Sequence, residues 1–218
     1  MTMGGSMAHS TKDARFWDKI ARKYARDPIG DMTGYERTLE AVARRLGPEH
    51  RVLELGCGTG TTALRLASGV AQYVASDVSA EMIAIAREKA EGAGLPQLTF
   101  EVASADTAPG PEGHFDVVLA FNLLHLINDR RAALGGAHRL LKPGGLFISK
   151  TPLLKEMNPL IRAAIPLMQA LGKAPHVAAF DANELEGDLT AAGFTIIERD
   201  RHGSAAKDPR AYLAAVRA

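Results

Sequence analysis

Arg51-Val52-Leu53-Glu54-Leu55-Gly56-Cys57-Gly58-Thr59-Gly60 is the stretch whose reading decides the fold. The apolar run Val52 to Leu55 reads as a buried strand. Three glycines then alternate with two small residues, so the backbone can turn sharply and approach a ligand that a Cβ would hold off. Thr61-Thr62-Ala63-Leu64-Arg65-Leu66-Ala67 follows as a helix. Strand, glycine loop and helix form the first unit of a nucleotide-binding α/β fold. The spacing is G-x-G-x-G and not the G-x-G-x-x-G of pyrophosphate binders. Glu54, just before the loop, would repel a pyrophosphate and attract an ammonium or a sulfonium.

Outward from this unit the rhythm repeats. Tyr73 to Asp77 is a second short strand ending in an acid, and Ser79 caps a helix that runs to about Glu91. Leu98 to Ala103 reads as the third strand and Phe115 to Phe121 as the fourth, with Ser104-Ala105-Asp106 and a Pro/Gly loop between them. Asn122 to Ile127 leads into a helix reaching about Leu141. Leu141-Lys142-Pro143-Gly144-Gly145 reads as a tight turn before the fifth strand, Leu146 to Lys150. Phe194 to Arg199 is the sixth strand. Asp208 to Arg217 holds either a last helix or a final strand, and period alone does not decide. Strands alternating with helices imply a doubly wound, mostly parallel sheet.

Two additions flank this core. Residues 11–48 form a helical cap in front of the first strand, with Phe16, Trp17, Ile20 and Tyr24 at helical spacing. Phe16 and Trp17 are read as packing residues, while Tyr24 and Tyr35 can pack and still offer a hydroxyl to a ligand. Residues 151–180 contain the apolar helix Pro159 to Leu171 after the carboxyl end of a strand, where covers of active sites lie, and are expected to form a lid. Residues 1–10, with Met1, Met3, Met7 and a Gly-Gly-Ser step, are expected to be disordered or tag-like.

The totals exclude several classes. The 218 residues suit one α/β domain, and with 46% hydrophobic and 23% charged residues the composition is that of a globular protein. A formal net charge of +1 gives no reason to expect a nucleic-acid partner. One cysteine, Cys57, forbids an internal disulfide and a thiolate zinc cluster, and no metal site is expected. Its place in the loop reads as a demand for a small residue. No apolar run reaches membrane-spanning length and no signal peptide is visible, so a cytoplasmic location is expected.

Taken together, Glu54-x-Gly56-x-Gly58-x-Gly60, Asp77-Val78-Ser79-Ala80-Glu81-Met82, Phe115-Asp116-Val117-Val118 with Asn122-Leu123-Leu124-His125, and Leu141-Lys142-Pro143-Gly144-Gly145 resemble class I S-adenosylmethionine-dependent methyltransferases, close to the ubiquinone/menaquinone type. The resemblance implies a Rossmann-like, seven-stranded sheet and S-adenosylmethionine as cofactor. It implies that Gly56, Cys57, Gly58 and Gly60 admit the methionine part and that Glu54 pairs with its amino group, through water. Asp77 would accept from the ribose diol, and Val78 and Met82 would flank the adenine. Asp106 would accept from the adenine amino group, with Ala105 and Thr107 beside the ring. Asn122 would line the methionine end, and Tyr24 resembles an aromatic hydroxyl that closes over the cofactor. A base is needed only where the acceptor arrives protonated. His125 is the candidate, with His176 and Asp129 behind it, and a histidine simply packed among Leu124, Leu126 and Ile127 is an equal reading. The fourth strand lacks the Asn/Asp-Pro-Pro-aromatic ending that resembles enzymes acting on nucleic-acid bases. With the near-neutral charge this lowers the nucleic-acid reading, and the apolar segment 159–171 points to a small, partly hydrophobic acceptor. The alternatives are an NAD-type oxidoreductase, for which Thr61 and Thr62 stand where a third glycine is needed, and a cofactor-binding module without catalysis.

Overall fold

The computed structural model describes residues 3–108, 110–205 and 208–218, with side chains from residue 12 onward. Its strands are β1 (Arg51–Leu55), β2 (Gln72–Asp77), β3 (Leu98–Val102), β4 (Phe115–Phe121), β5 (Leu141–Pro152), β6 (Phe194–Asp200) and β7 (Arg210–Arg217). The helices are α1 (Met3–Tyr24), α2 (Met32–Ala43), α3 (Thr61–Leu66), α4 (Ala80–Ala90), α5 (Arg130–Leu140), α6 (Pro159–Ala170) and α7 (Ala182–Ala191).

The seven strands form one sheet in the order β3-β2-β1-β4-β5-β7-β6. β1 to β5 pair in parallel, and β7 lies antiparallel between β5 and β6. Alternation along each strand feeds two cores. Leu53, Leu55, Val118, Ala120 and Phe147 pack on one face with Leu134 of α5 and Leu185 of α7. Val52, Tyr73, Val117, Leu119 and Ile148 pack on the other with Leu39 of α2, Ala63 of α3 and Ile83 of α4. Burying each such aliphatic side chain contributes about 1.5–3 kcal/mol relative to exposure. The chain order reverses between β1 and β4, so a crevice opens there at the carboxyl ends of the parallel strands.

The doubly wound, mostly parallel sheet expected from the sequence is present, and the open question at the end of the chain resolves as strand β7. Its buried run Ala211 to Ala215 fills the slot between β5 and β6. Helix α1 starts at Met3, inside the stretch 1–10 that was expected to be disordered or tag-like, and residues 1 and 2 lie outside the described residues. Three local expectations change. Leu141 already pairs with Phe115, and the ladder resumes at Leu146 with Val117. Lys142 to Gly145 therefore bulge from the start of β5 where a separate turn was expected. After β4 comes a single 3₁₀ turn, Leu124–Leu126, and α5 begins only at Arg130 behind its N-cap Asp129. Helix α6 is present, yet none of its residues is buried.

Candidate cofactor and acceptor site

The crevice is a cavity of about 1230 Å³, lined from α1, α2, the loops after β1 to β4, and the residues Lys150 and Arg210.

β1 carries Glu54 into the cavity wall at 3% exposure. The buried Tyr73 hydroxyl of β2 donates to its Oε2 at 2.8 Å. Burial pushes the Glu54 carboxyl up to about 7, the Tyr73 hydrogen bond opposes this, and the charge of Asp77 adds to it. The glycine loop follows with left-handed backbone. A Cβ on Gly56 (φ 67) would come within 2.7 Å of Leu123. A Cβ on Gly60 (φ 75) would come within 2.9 Å of both Ala86 and Phe100. Cys57 is buried on the cavity wall and burial pushes its thiol up, so it supplies bulk and not a thiolate.

β2 ends in Asp77, whose Oδ2 accepts from the Gly58 amide and Oδ1 from the Ser79 amide, each at 2.9 Å. Burial raises its pKa and these bonds oppose the rise. The carboxylate thus fastens the glycine loop and the residue that caps α4, while the cap itself is Ser79, as expected from the sequence. Each oxygen keeps a second lone pair for a hydroxyl. Ser79 caps α4 at Met82 and donates to Asp18 Oδ1 at 2.6 Å, which fixes α1 against α4. Met82 packs with Ala21 and Ile85 and still reaches the cavity, so both readings of it hold.

After β3, Ala105 and Asp106 line the cavity. The Ser104 hydroxyl donates to Asp106, and Ser104 and Thr107 share a hydrogen bond of 2.7 Å. After β4, Asn122 adopts φ 50, the left-handed state that asparagine tolerates best after glycine, and its amide donates to the Lys150 carbonyl at 2.7 Å. Tyr24 of α1 reaches over Gly58, leans edge-on against Trp17, and remains half exposed on the wall.

Tyr24, Glu54, Gly56, Cys57, Gly58, Asp77, Val78, Met82, Ala105, Asp106 and Asn122 all lie on this one cavity. Two expected cofactor residues do not. Gly60 is needed for close packing of the loop on α4 and β3, and Thr107 bonds to Ser104 instead. His125 is also absent from the wall. Its Nδ1 lies 3.3 Å from Thr151 Oγ1, and burial pushes its pKa down to about 4, surroundings that suit the packed histidine of the two readings. Asp129 reaches the wall while capping α5 through Ala132, and His176 is exposed and off the wall. No residue of 151–180, the stretch expected to form a lid, lines the cavity. Leu160 (79% exposed) and Leu167 (66%) project from α6 into solvent. Residues of α1, 25–31 and α2 do line the cavity.

Sequence reasoning missed Lys150, Arg210, Asp31, Thr38 and Lys89 on the wall, and the support given by Tyr73. Lys150 had a readable signal, a charge closing an apolar strand at its carboxyl end. Arg210 had none. Tyr35, left open from the sequence, lines the cavity with its hydroxyl 3.3 Å from Thr62 Oγ1. Among the described residues no group of histidine, cysteine and carboxylate side chains could hold a metal ion, and no helix is long and apolar enough to cross a membrane.

Comparison with known proteins gives the family. A family model for a methyltransferase domain matches residues 52–145. The chain is 30% identical over 172 residues to an uncharacterized methyltransferase, sll0829, of Synechocystis, covering 78% of this chain and 77% of that one. It is 33% identical over 142 residues to the tRNA 5-carboxymethoxyuridine methyltransferase of Escherichia coli, covering 61% of this chain and 54% of that protein. It is 31% identical over 147 residues to the ubiquinone/menaquinone biosynthesis C-methyltransferase of Shewanella frigidimarina, covering 62% and 57%. The chain thus spans little more than half the length of these last two relatives. A solved structure from Thermotoga maritima, described as a possible histamine N-methyltransferase, shares the fold with a TM-score of 0.70 at 19% identity, over 94% of this chain and 99% of that one.

The chain belongs to the class I S-adenosylmethionine-dependent methyltransferases, and S-adenosylmethionine is the cofactor of that family.

Proposed function

We propose that this protein transfers the methyl group of S-adenosylmethionine to a small acceptor held in the same cavity. One observation carries the reading: a single cavity of about 1230 Å³ runs from the glycine loop to Lys150 on β5. Single-ligand pockets are roughly 300–1,000 Å³, so this one has room for a cofactor and a second small molecule.

The residues fit the cofactor. Glu54, Asp77 and Asp106 offer carboxylates, in chain order, to an ammonium, a diol and an adenine amino group. Val78, Met82 and Ala105 supply flat apolar contact for a base, and Gly56 and Gly58 bare backbone for the methionine part. Tyr24 and Asn122 border the space where methionine and acceptor meet. Among the described lining residues, seven carboxylates face three cations, which favours a sulfonium and disfavours a polyphosphate. The cofactor supplies a methyl on a sulfonium that leaves readily. The work of the chain is to hold donor and acceptor in line and to exclude water, through α1, residues 25–31 and α2 above and Leu123, Leu126 and Ile127 beside.

The acidic lining also supports a small acceptor over a nucleic acid, whose phosphates it would repel. Calorimetry tests the cofactor half: S-adenosylhomocysteine is expected to bind in the micromolar range and NAD not at all. A radiolabelled methyl assay tests the acceptor half, with phenols, quinols, carboxylic acids and bulk tRNA offered side by side. Label in tRNA alone overturns the small-acceptor reading, and cofactor binding without label in any acceptor favours a binding module.

A further inference from the structure

We infer that Lys150 is the acceptor-recognition residue of this site, its buried ammonium receiving an acidic oxygen (phenolate, enolate or carboxylate) of the molecule to be methylated. The inference rests on the methyl-transfer reading above and gives it a substrate chemistry.

Lys150 ends the parallel part of β5, paired with Phe121 of β4 and Tyr212 of β7. Glu54 lies on β1, Asp77 ends β2 and Asp106 follows β3, so Lys150 stands across the strand-order reversal from these carboxylates. It is 6% exposed and lies on the cavity wall. A lysine is almost never that deeply buried unless it is paired. Here Nζ donates at 3.0 Å to the Gly34 carbonyl and at 2.8 Å to Thr38 Oγ1, both neutral. Among the described residues no carboxylate forms an ion pair with it, and its third N–H has no partner.

The groups around it do not fill that place. Arg210 is spent on Asp31 at 2.9 Å and on Asp208 at 2.7 Å. Asp31 also accepts from the amides of Gly34 and Ser204. Thr38 donates to the Gly34 carbonyl, so its oxygen is left as acceptor for Lys150 and for His202 Nδ1 at 3.1 Å. Asp208 accepts from Arg210 through Oδ1, and its Oδ2 is buried without a hydrogen-bond partner, yet neither oxygen forms an ion pair with Lys150 among the described residues. Lys150 itself lines the cavity. Burial and the charge of Arg210 lower the Lys150 pKa, while Asp208 and Asp31 work against this. An arriving anionic oxygen would relieve the buried charge, and a neutral isostere would not. An ammonium beside a hydroxyl also favours its ionised, nucleophilic form, which removes the need for a separate base.

The test uses the full chain saturated with S-adenosylhomocysteine. Two probes are titrated: benzoate against benzamide, and 4-nitrophenol, whose ionisation is read by its colour. The wild type is expected to bind benzoate at least about tenfold more tightly than benzamide, or to lower the apparent pKa of bound 4-nitrophenol by about one unit. Lys150→Met is expected to abolish the preference and Lys150→Arg to keep most of it. Affinity for S-adenosylhomocysteine and the melting temperature report whether the variants fold. A lysine that merely ties β5 to α2 would shift the melting temperature and leave the charge preference in place. The inference is overturned if the wild type prefers neither anion, or if Lys150→Met retains the preference. If the wild type fails to bind S-adenosylhomocysteine, the methyl-transfer reading falls first.

Discussion

Glu54 shows how one buried carboxyl can couple a site to pH. Its folded pKa of about 7 stands above the ordinary 4.5 because burial disfavours the charge. The folded, empty protein therefore holds a proton there that the unfolded chain releases, and stability falls as pH rises from about 4.5 to 7. An ammonium beside Glu54 favours the carboxylate, so affinity for S-adenosylhomocysteine is expected to rise with pH up to about 7 and then level off. In Glu54→Gln that slope should vanish, with affinity about tenfold or more below wild type at pH 8; calorimetry across pH checks this, and an unchanged slope would remove Glu54 from the ammonium site. Gly60 makes a different point. The sequence marks it as a ligand-facing glycine, but its missing Cβ makes room for Ala86 and Phe100. Gly60→Ala combines a positive φ with two clashes, and denaturant unfolding should show a loss of at least about 2 kcal/mol. Which glycine meets ligand and which meets protein depends on what the fold packs behind the loop.

Among the elements, α1 lines the cavity and α6 does not. Helix α1 is part of the site because Asp18 accepts from the Ser79 hydroxyl at 2.6 Å and from the Glu81 amide at 3.2 Å. Arg22 adds an exposed pair with Glu88, which contributes little. Asp18→Ala should cost about 1 kcal/mol, speed amide exchange in α1, and weaken S-adenosylhomocysteine binding several-fold, because Trp17 and Tyr24 ride on this helix. Wild-type exchange rates in the variant would contradict the docking role. Helix α6 has the composition of a cover, but composition does not tell a helix where to point. Leu160, Leu167 and Leu171 fall on one face of the helix, and that face turns to solvent. β7 is the converse case: its short apolar run fits helix or strand alike, and only the gap between β5 and β6 selects strand.

For the whole molecule, ligand linkage gives a test that needs no knowledge of the acceptor. S-adenosylhomocysteine at 100 times its dissociation constant should stabilise the fold by about 2.7 kcal/mol. For a chain of this size that corresponds to a rise of roughly 5–10 °C in melting temperature. NAD at the same concentration should leave it unchanged, and a shift with NAD would reopen the oxidoreductase alternative.

The sequence by itself determined the order of strands and helices from β1 to β5, the glycine loop, and the carboxylates at or near the carboxyl ends of β1, β2 and β3. Each is a local matter: an apolar period, a backbone demand or an acid at a strand end is written in neighbouring residues. Only the tertiary structure decided that β7 is a strand, that His125 is packed away beside Thr151, that α6 stands off the cavity, and that Lys150 and Arg210 belong to it. Lys150 and Thr38, for example, are 112 positions apart and meet at 2.8 Å. Contacts of that kind arise from how the sheet twists and which helix lies above it, and no run of adjacent residues encodes them.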